Sequence, residues 1–148
     1  MLQERELKTF VDGATNFFEV AAQQPASLGS PYLMEEPLPL HEYSGLIQVS
    51  GKREGVVCFT APKTMLAVLL MKMQETDFSH ETMRDLVGEV ANTISGNARR
   101  DFGSDFVISP PSVLSGEVPA IAPRPGARSF VIPINWRSHS AKLVVALS

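Results

Sequence analysis

Cysteine is nearly missing from this chain. Cys58 stands alone among 148 residues, so no disulfide within the chain and no multi-cysteine zinc site can form. That composition predicts a reducing, cytoplasmic setting. Long apolar runs are missing too. The longest, Met65–Met71, falls far short of the roughly 20 residues needed to cross a bilayer, which predicts no membrane span. The first residues, MLQERELKTF, interleave charge with apolar side chains and lack the apolar core of a secretory signal. Positive charge is not in excess: 13 Lys and Arg against 16 Asp and Glu give a net charge of −3. The broad basic footprint of a nucleic-acid binder is therefore not expected, and Arg99-Arg100 is the one adjacent arginine pair. His41, His80 and His139 are scattered without metal-ligand spacing. Neither a repeat at solenoid periods nor a low-complexity tract is present.

What is there suits a globular protein. Hydrophobic residues at 44% and charged residues at 20% support a buried core, and the length predicts one domain over 1–148. Leu7, Phe10, Val11, Ala14, Phe17, Phe18 and Ala21 recur at helical spacing, predicting an amphipathic helix over 3–23 that Pro25, Gly29 and Pro31 end. Pro37 and Pro39 leave room for only a short irregular strand around Tyr32–Met34. SGLIQVS (44–50) and GVVCFT (55–60) flank a polar, glycine-bounded turn and predict a hairpin. Pro62 is expected as the first residue of a largely buried helix running to Met73. Ser79 is expected to cap a helix that continues to about Asp101, ahead of Gly103. Strands are expected at 105–109, 112–117, 129–136 and 141–147, with a stiff connection from Pro119 to Gly126. Segregated helix and strand runs of this kind predict an α+β fold: a mainly antiparallel sheet with helices packed on one face.

The segment Arg84–Gly103, RDLVGEVANTISGNARRDFG, divides into two faces at 100° per residue. Met83, Leu86, Val87, Val90 and Ile94 share one side. Asp85, Glu89, Asn92, Gly96 and Arg99 form a narrow stripe on the other. Asp85 and Glu89 are like charges at i, i+4, which weakens an isolated helix by a few tenths of a kcal/mol. Gly96 in a helix interior costs about 1 kcal/mol against alanine. A helix shaped only by stability would avoid both, and Gly96 leaves a bare patch where another molecule can approach. A solvated polar face is the ordinary alternative. Asn97, closer to the apolar side, reads as a hydrogen-bonded structural amide.

The ordered set Asp85-x-x-x-Glu89-x-x-Asn92, followed by Ile94-Ser95-Gly96-Asn97-Ala98, resembles the signature of the CheX branch of the CheC/CheX/FliY phosphatases of bacterial chemotaxis. SGLIQVSGKREGVVCFTAP resembles the hairpin before that signature. FVISPPSVLSG resembles the strand-proline-strand element after it, and RSFVIPINWRSHSAKLVVAL resembles the closing hairpin. The resemblance covers about residues 43–148 and implies a CheC/CheX-like two-layer fold. It also implies a substrate, the aspartyl phosphate of a CheY-like response-regulator receiver domain. By the matching positions Asn92 would orient the attacking water and Glu89 would contact the receiver's lysine. Asp85 stands where the family has Asp or Ser, and Gly96 would keep the docking face open. The family's proline would be Pro111 or its neighbour Pro110, in a stretch a few residues shorter than the family pattern. Any Mg2+ would sit on the receiver, with no cofactor or metal of this chain's own. One E-x-x-N copy implies a one-site protomer that forms a homodimer through its sheets, the strand ending at Leu147 offering an edge.

Asn92 cannot act as a base near neutrality, but an amide can hold a water in line with phosphorus. Preorganised positioning of this kind is worth about 3 kcal/mol per polar group in measured cases. A non-catalytic module that binds or sequesters a receiver is the alternative function. Asp85 and Glu89 alone are few ligands for calcium. Cys58, alternating with Val56 and Thr60 and without a neighbouring base, reads as packing rather than as a nucleophile. Trp136 and Tyr43 read as packed on the sheet.

Overall fold

The computed structural model describes residues 2–116 and 120–148. Glu117 and Pro119, the ends of an expected strand and of an expected connection, lie outside the described residues. Among the described residues the chain runs a 3-10 turn Glu4–Leu7, α1 Lys8–Ala21, β1 Ser27–Leu28, β2 Tyr32–Leu33, β3 Tyr43–Gly51 and β4 Gly55–Ala61. It continues with α2 Lys63–Lys72, α3 His80–Phe102, β5 Phe106–Ile108, β6 Ser112–Ser115, β7 Arg128–Trp136 and β8 His139–Leu147. The strands form one antiparallel sheet in the order β1-β7-β8-β4-β3-β5, with β2 also on β7 and β6 also on β3. This is the α+β architecture that the segregated helix and strand runs imply.

The three helices share one core with one sheet face. Phe10, Phe18, Leu66, Leu69, Val87, Val90 and Ile94 are fully buried against Phe59, Ile132, Trp136, Leu143 and Val145. Each such side chain gains roughly 1.5–3 kcal/mol by leaving water. The far face is not bare. Cys58, Val131 and Val144 are buried there under Met34, with Leu38, Leu40 and Ile121 packed around them. A backbone bridge between Leu38 and Ile121 ties this cover together. The proline-rich stretch 34–40 therefore lies over the sheet rather than in it, as chain without free N–H groups at Pro37 and Pro39 must.

Three expectations need correcting. The terminal strand is not an edge: β8 pairs with β7 on one side and β4 on the other. Its residues Leu143–Leu147 are buried on both faces, the near-continuous apolar pattern of a central strand. No backbone edge is left there for a second protomer. Pro62 caps α2 from outside, with extended φ −74 and ψ 152, and Lys63 is the first helical residue. Finally, α2 buries only Met65, Leu66, Leu69 and Leu70, while Met71 is 63% exposed.

Candidate functional site

Helix α3 is well framed at both ends. The Ser79 hydroxyl accepts the Thr82 N–H at 3.3 Å, a cap worth about 1 kcal/mol. Asp77 accepts the Thr82 hydroxyl at 2.7 Å and the Ser79 N–H at 2.9 Å. The Thr82 hydroxyl and then the Ser79 bonds hold the Asp77 carboxyl below its ordinary range. At the far end Gly103, at φ +96, donates its N–H to Arg99 O at 2.8 Å, a left-handed stop that glycine adopts without strain.

The two faces of α3 fall where their spacing puts them. Met83, Leu86, Val87, Val90 and Ile94 are buried, together with Gly88, Ala91, Ser95 and Ala98. Asp85, Glu89 and Arg99 are exposed, and Asn92 and Gly96 are half-buried. Glu89 and Asn92 thus sit one turn apart on the open side of a rigid helix. Thr93 donates its hydroxyl to Glu89 Oε1 at 3.3 Å. A Cβ added at Gly96 would meet nothing within 4 Å, so the face is bare immediately beyond Asn92. Asn97 lies off this face. Its Oδ1 accepts from Arg100, and its side chain borders Gly13 of α1, as a structural amide should.

Pro111 meets the helix. Strands β5 and β6 pair with two successive stretches of β3, at Val49–Gly51 and Tyr43–Leu46. Ser109-Pro110-Pro111 makes the step between them, where the N–H-less prolines interrupt the ladder. The Pro111 ring lies against Gly88, where an added Cβ would come within 3.4 Å of Pro111 Cβ. Gly88 immediately precedes Glu89, so Pro111 borders the stripe.

Sequence reasoning overlooked two glycines here. Gly45 of β3 and Gly88 of α3 are both buried. A Cβ at Gly45 would fall 2.3 Å from the Val87 carbonyl oxygen. The available signal was a small residue inside an otherwise apolar face of each element. Arg84 was also passed over. It donates to Ser115 Oγ at 2.7 Å and to Val113 O at 3.4 Å, bracing α3 against β6.

The other candidates are apart from this face. Cys58 is fully buried on the far side of the sheet, and burial pushes its thiol up to about 12. The Tyr43 hydroxyl and His80 Nδ1 are hydrogen-bonded at 2.8 Å, and burial, then Lys142, lowers the His41 imidazole below its ordinary value. Among the described residues no group of three or more His, Cys, Asp or Glu side chains is placed to hold a metal ion. A shallow cleft of about 380 Å³ is lined by Arg5, Glu6, Lys8, Thr9, Asp12, Asp101 and Phe102; neither Glu89 nor Asn92 lines it. Among the described residues no helix is long and apolar enough to cross a membrane.

The family model described as chemotaxis phosphatase CheX matches residues 43–135. Among solved structures, a CheC-like superfamily protein from Shewanella sp. PV-4 is 27% identical, with a TM-score of 0.87, covering 100% of this chain and 99% of that one. The chemotaxis protein CheX from Desulfovibrio desulfuricans is 24% identical at a TM-score of 0.83, covering 97% and 98%. A CheX–CheY–BeF3–Mg2+ complex from Borrelia burgdorferi aligns at 20% identity and a TM-score of 0.75, covering 96% and 97%. No curated protein matches the chain by sequence.

Proposed function

The chain belongs to the CheX family of chemotaxis phosphatases, and on that premise we propose that it hydrolyses the aspartyl phosphate of a CheY-like receiver domain. The observation that carries this reading is the pairing of Glu89 with Asn92 on the open side of α3. Pro111 borders that side, and the space over Gly96 is unobstructed. A carboxylate and an amide on a convex helix suit insertion into a partner's site better than enclosure of a small substrate, which calls for a concave pocket.

In this reading the receiver supplies the phosphorylated aspartate, its lysine and its Mg2+. The family relative from Borrelia burgdorferi was crystallised with CheY, BeF3 and Mg2+, which supports that division of labour. Asn92 holds the attacking water in line with phosphorus. Its amide neither takes nor gives a proton, so its contribution is orientation, realised mainly in the transition state. Glu89 places negative charge against the receiver's lysine and so fixes the register of the helix on its partner. Asp85 and Pro111 flank the contact, and Gly96 leaves room for it.

The test is phosphate release from a phosphorylated receiver with the unmodified protein and with Asn92→Ala. Release should be accelerated by the first and slowed about 100-fold by the second, with affinity for the receiver little changed. Binding without acceleration would make the chain a receiver-binding module instead. Homodimerisation goes with the same reading, through the sheet edges that remain, β1/β2 or β5/β6. Tyr32 and Leu33 at the first are 46% and 43% exposed. Sedimentation showing only a 16.1 kDa species at micromolar concentration counts against it. A cytoplasmic location, where receiver domains and free thiols are both at home, completes the proposal.

A further inference from the structure

We propose that Gly88 is a positioning residue of this site: the missing side chain at position 88 sets how close Pro111 stands to the helical turn carrying Glu89 and Asn92. The inference rests on the phosphatase reading and concerns how the bordering proline is held.

Helix α3 approaches the sheet closely at one turn. The Gly45 backbone is so near that a Cβ there would lie 2.3 Å from Val87 O and 3.0 Å from Gly88 N. At the next residue, a Cβ at Gly88 would meet Val113 Cγ2 at 3.3 Å, Pro111 Cβ at 3.4 Å and Pro111 Cγ at 3.5 Å. Gly45 and Val113 are opposite one another in the β3–β6 register, so both contacts fall at the same level of the sheet. One turn earlier Arg84 ties the helix to the same segment through Ser115 Oγ and Val113 O.

This arrangement leaves an added methyl group at position 88 little freedom. To make room, α3 must lift slightly off this part of the sheet or the Val113 side of β6 must give way. Either way the gap between this helical turn and the Pro111–Val113 segment widens by a few tenths of an ångström. Backbone conformation does not explain the glycine, since Gly88 is helical and is not among the glycines of positive φ. Alanine would make a better helix. The residue present is thus the one that gives Pro111 its closest approach, immediately before Glu89 in the chain.

The experiment compares Gly88→Ala, Val113→Ala and the double variant with the unmodified protein and with Asn92→Ala, measuring kcat and KM on a phosphorylated receiver alongside melting temperature. Gly88→Ala is expected to melt at or above the unmodified protein yet lose about tenfold in kcat, with KM changed less than twofold, since even small misplacement of catalytic geometry is costly. Val113→Ala removes the 3.3 Å contact, so the double variant should recover most of the lost kcat. If Gly88→Ala keeps kcat within twofold while Asn92→Ala is slow, the positioning role is overturned and the phosphatase reading stands. Should Gly88→Ala lose its fold and Val113→Ala fail to restore it, Gly88 is a packing residue only. Absence of any acceleration by the unmodified protein, or an Asn92→Ala variant as fast as it, sinks the phosphatase reading and this inference with it.

Discussion

Replacing Gly45 by alanine would set a methyl carbon 2.3 Å from the Val87 carbonyl oxygen. An ordinary carbon–oxygen contact is about 1 Å longer, and both partners are backbone, so no side-chain rotation relieves the overlap. Either β3 bends away from the helix or α3 lifts off the sheet. Forced overpacking of this kind costs typically 1–3 kcal/mol. An overlap between two backbone groups belongs at the upper end of that range, about 3 kcal/mol, and alanine recovers about 0.4–1 kcal/mol by restricting the unfolded chain, which leaves a net cost of about 2 kcal/mol. At 2–4 °C per kcal/mol for a domain of this size, the melting temperature should fall by roughly 4–8 °C. Gly96→Ala is the internal control. It meets nothing within 4 Å, so the gain of about 1 kcal/mol in helix propensity should raise the melting temperature by about 2–4 °C. Differential scanning calorimetry of the two variants reads both effects. A Gly45→Ala protein that melts within about 1 °C of the unmodified one would refute the close-approach argument, because propensity alone cannot hide so large an overlap.

Three other outcomes follow from the site and the core. Gly96→Arg should fold normally, since arginine is the better helix former, yet lose receiver dephosphorylation by more than tenfold; unchanged phosphate release would mean the partner docks elsewhere. Glu89→Ala should weaken receiver binding, and the difference from the unmodified protein should shrink at 1 M salt, where the screening length is about 3 Å; a salt-independent loss removes the charge contact from the mechanism. Cys58, pushed up to about 12 from an ordinary 9.0, should resist a thiol reagent in the folded protein and react as one equivalent after denaturation. The folded-state pKa is the raised one, so the thiol's contribution to stability is complete below about pH 9 and is lost as pH rises toward 12. Rapid native-state reaction at pH 8 would show that the far face of the sheet opens readily.

Periodicity made the helices and the β3–β4 hairpin legible before any coordinates. The 100° spacing that separates Leu86, Val87 and Val90 from Asp85, Glu89 and Asn92 is a property of one segment, and burial follows it. Ser79 was legible for the same reason: a cap is a local device. Sheet order is not local. Nothing in AKLVVAL states that its neighbours are β7 and β4, although apolar residues at successive positions do signal burial on both faces. β1, two residues long, has too little pattern to detect, and it exists because Ser27 and Leu28 find Asn135 and Ile134 opposite them. The stripe's carboxylates and amide could be named from spacing and resemblance. Gly45 and Gly88 show in the sequence only as small residues on apolar faces; what they make room for is a contact between segments far apart in the chain, which spacing does not state.

The central place of β8 bears on how the molecule is made. Residues 139–147 join β4 to β7, and synthesis reaches them only after β1–β7 and the three helices. Until they clear the ribosome, β4 has an open edge lined by Val57 and Phe59, and β7 another lined by Val131 and Ile132. Such edges invite pairing with other chains. The early hairpin and the helices can organise as they emerge, but the sheet closes in a single late step. A nascent chain halted before residue 139 would therefore hold two unsatisfied half-sheets. A chain past residue 147 supplies its own seal.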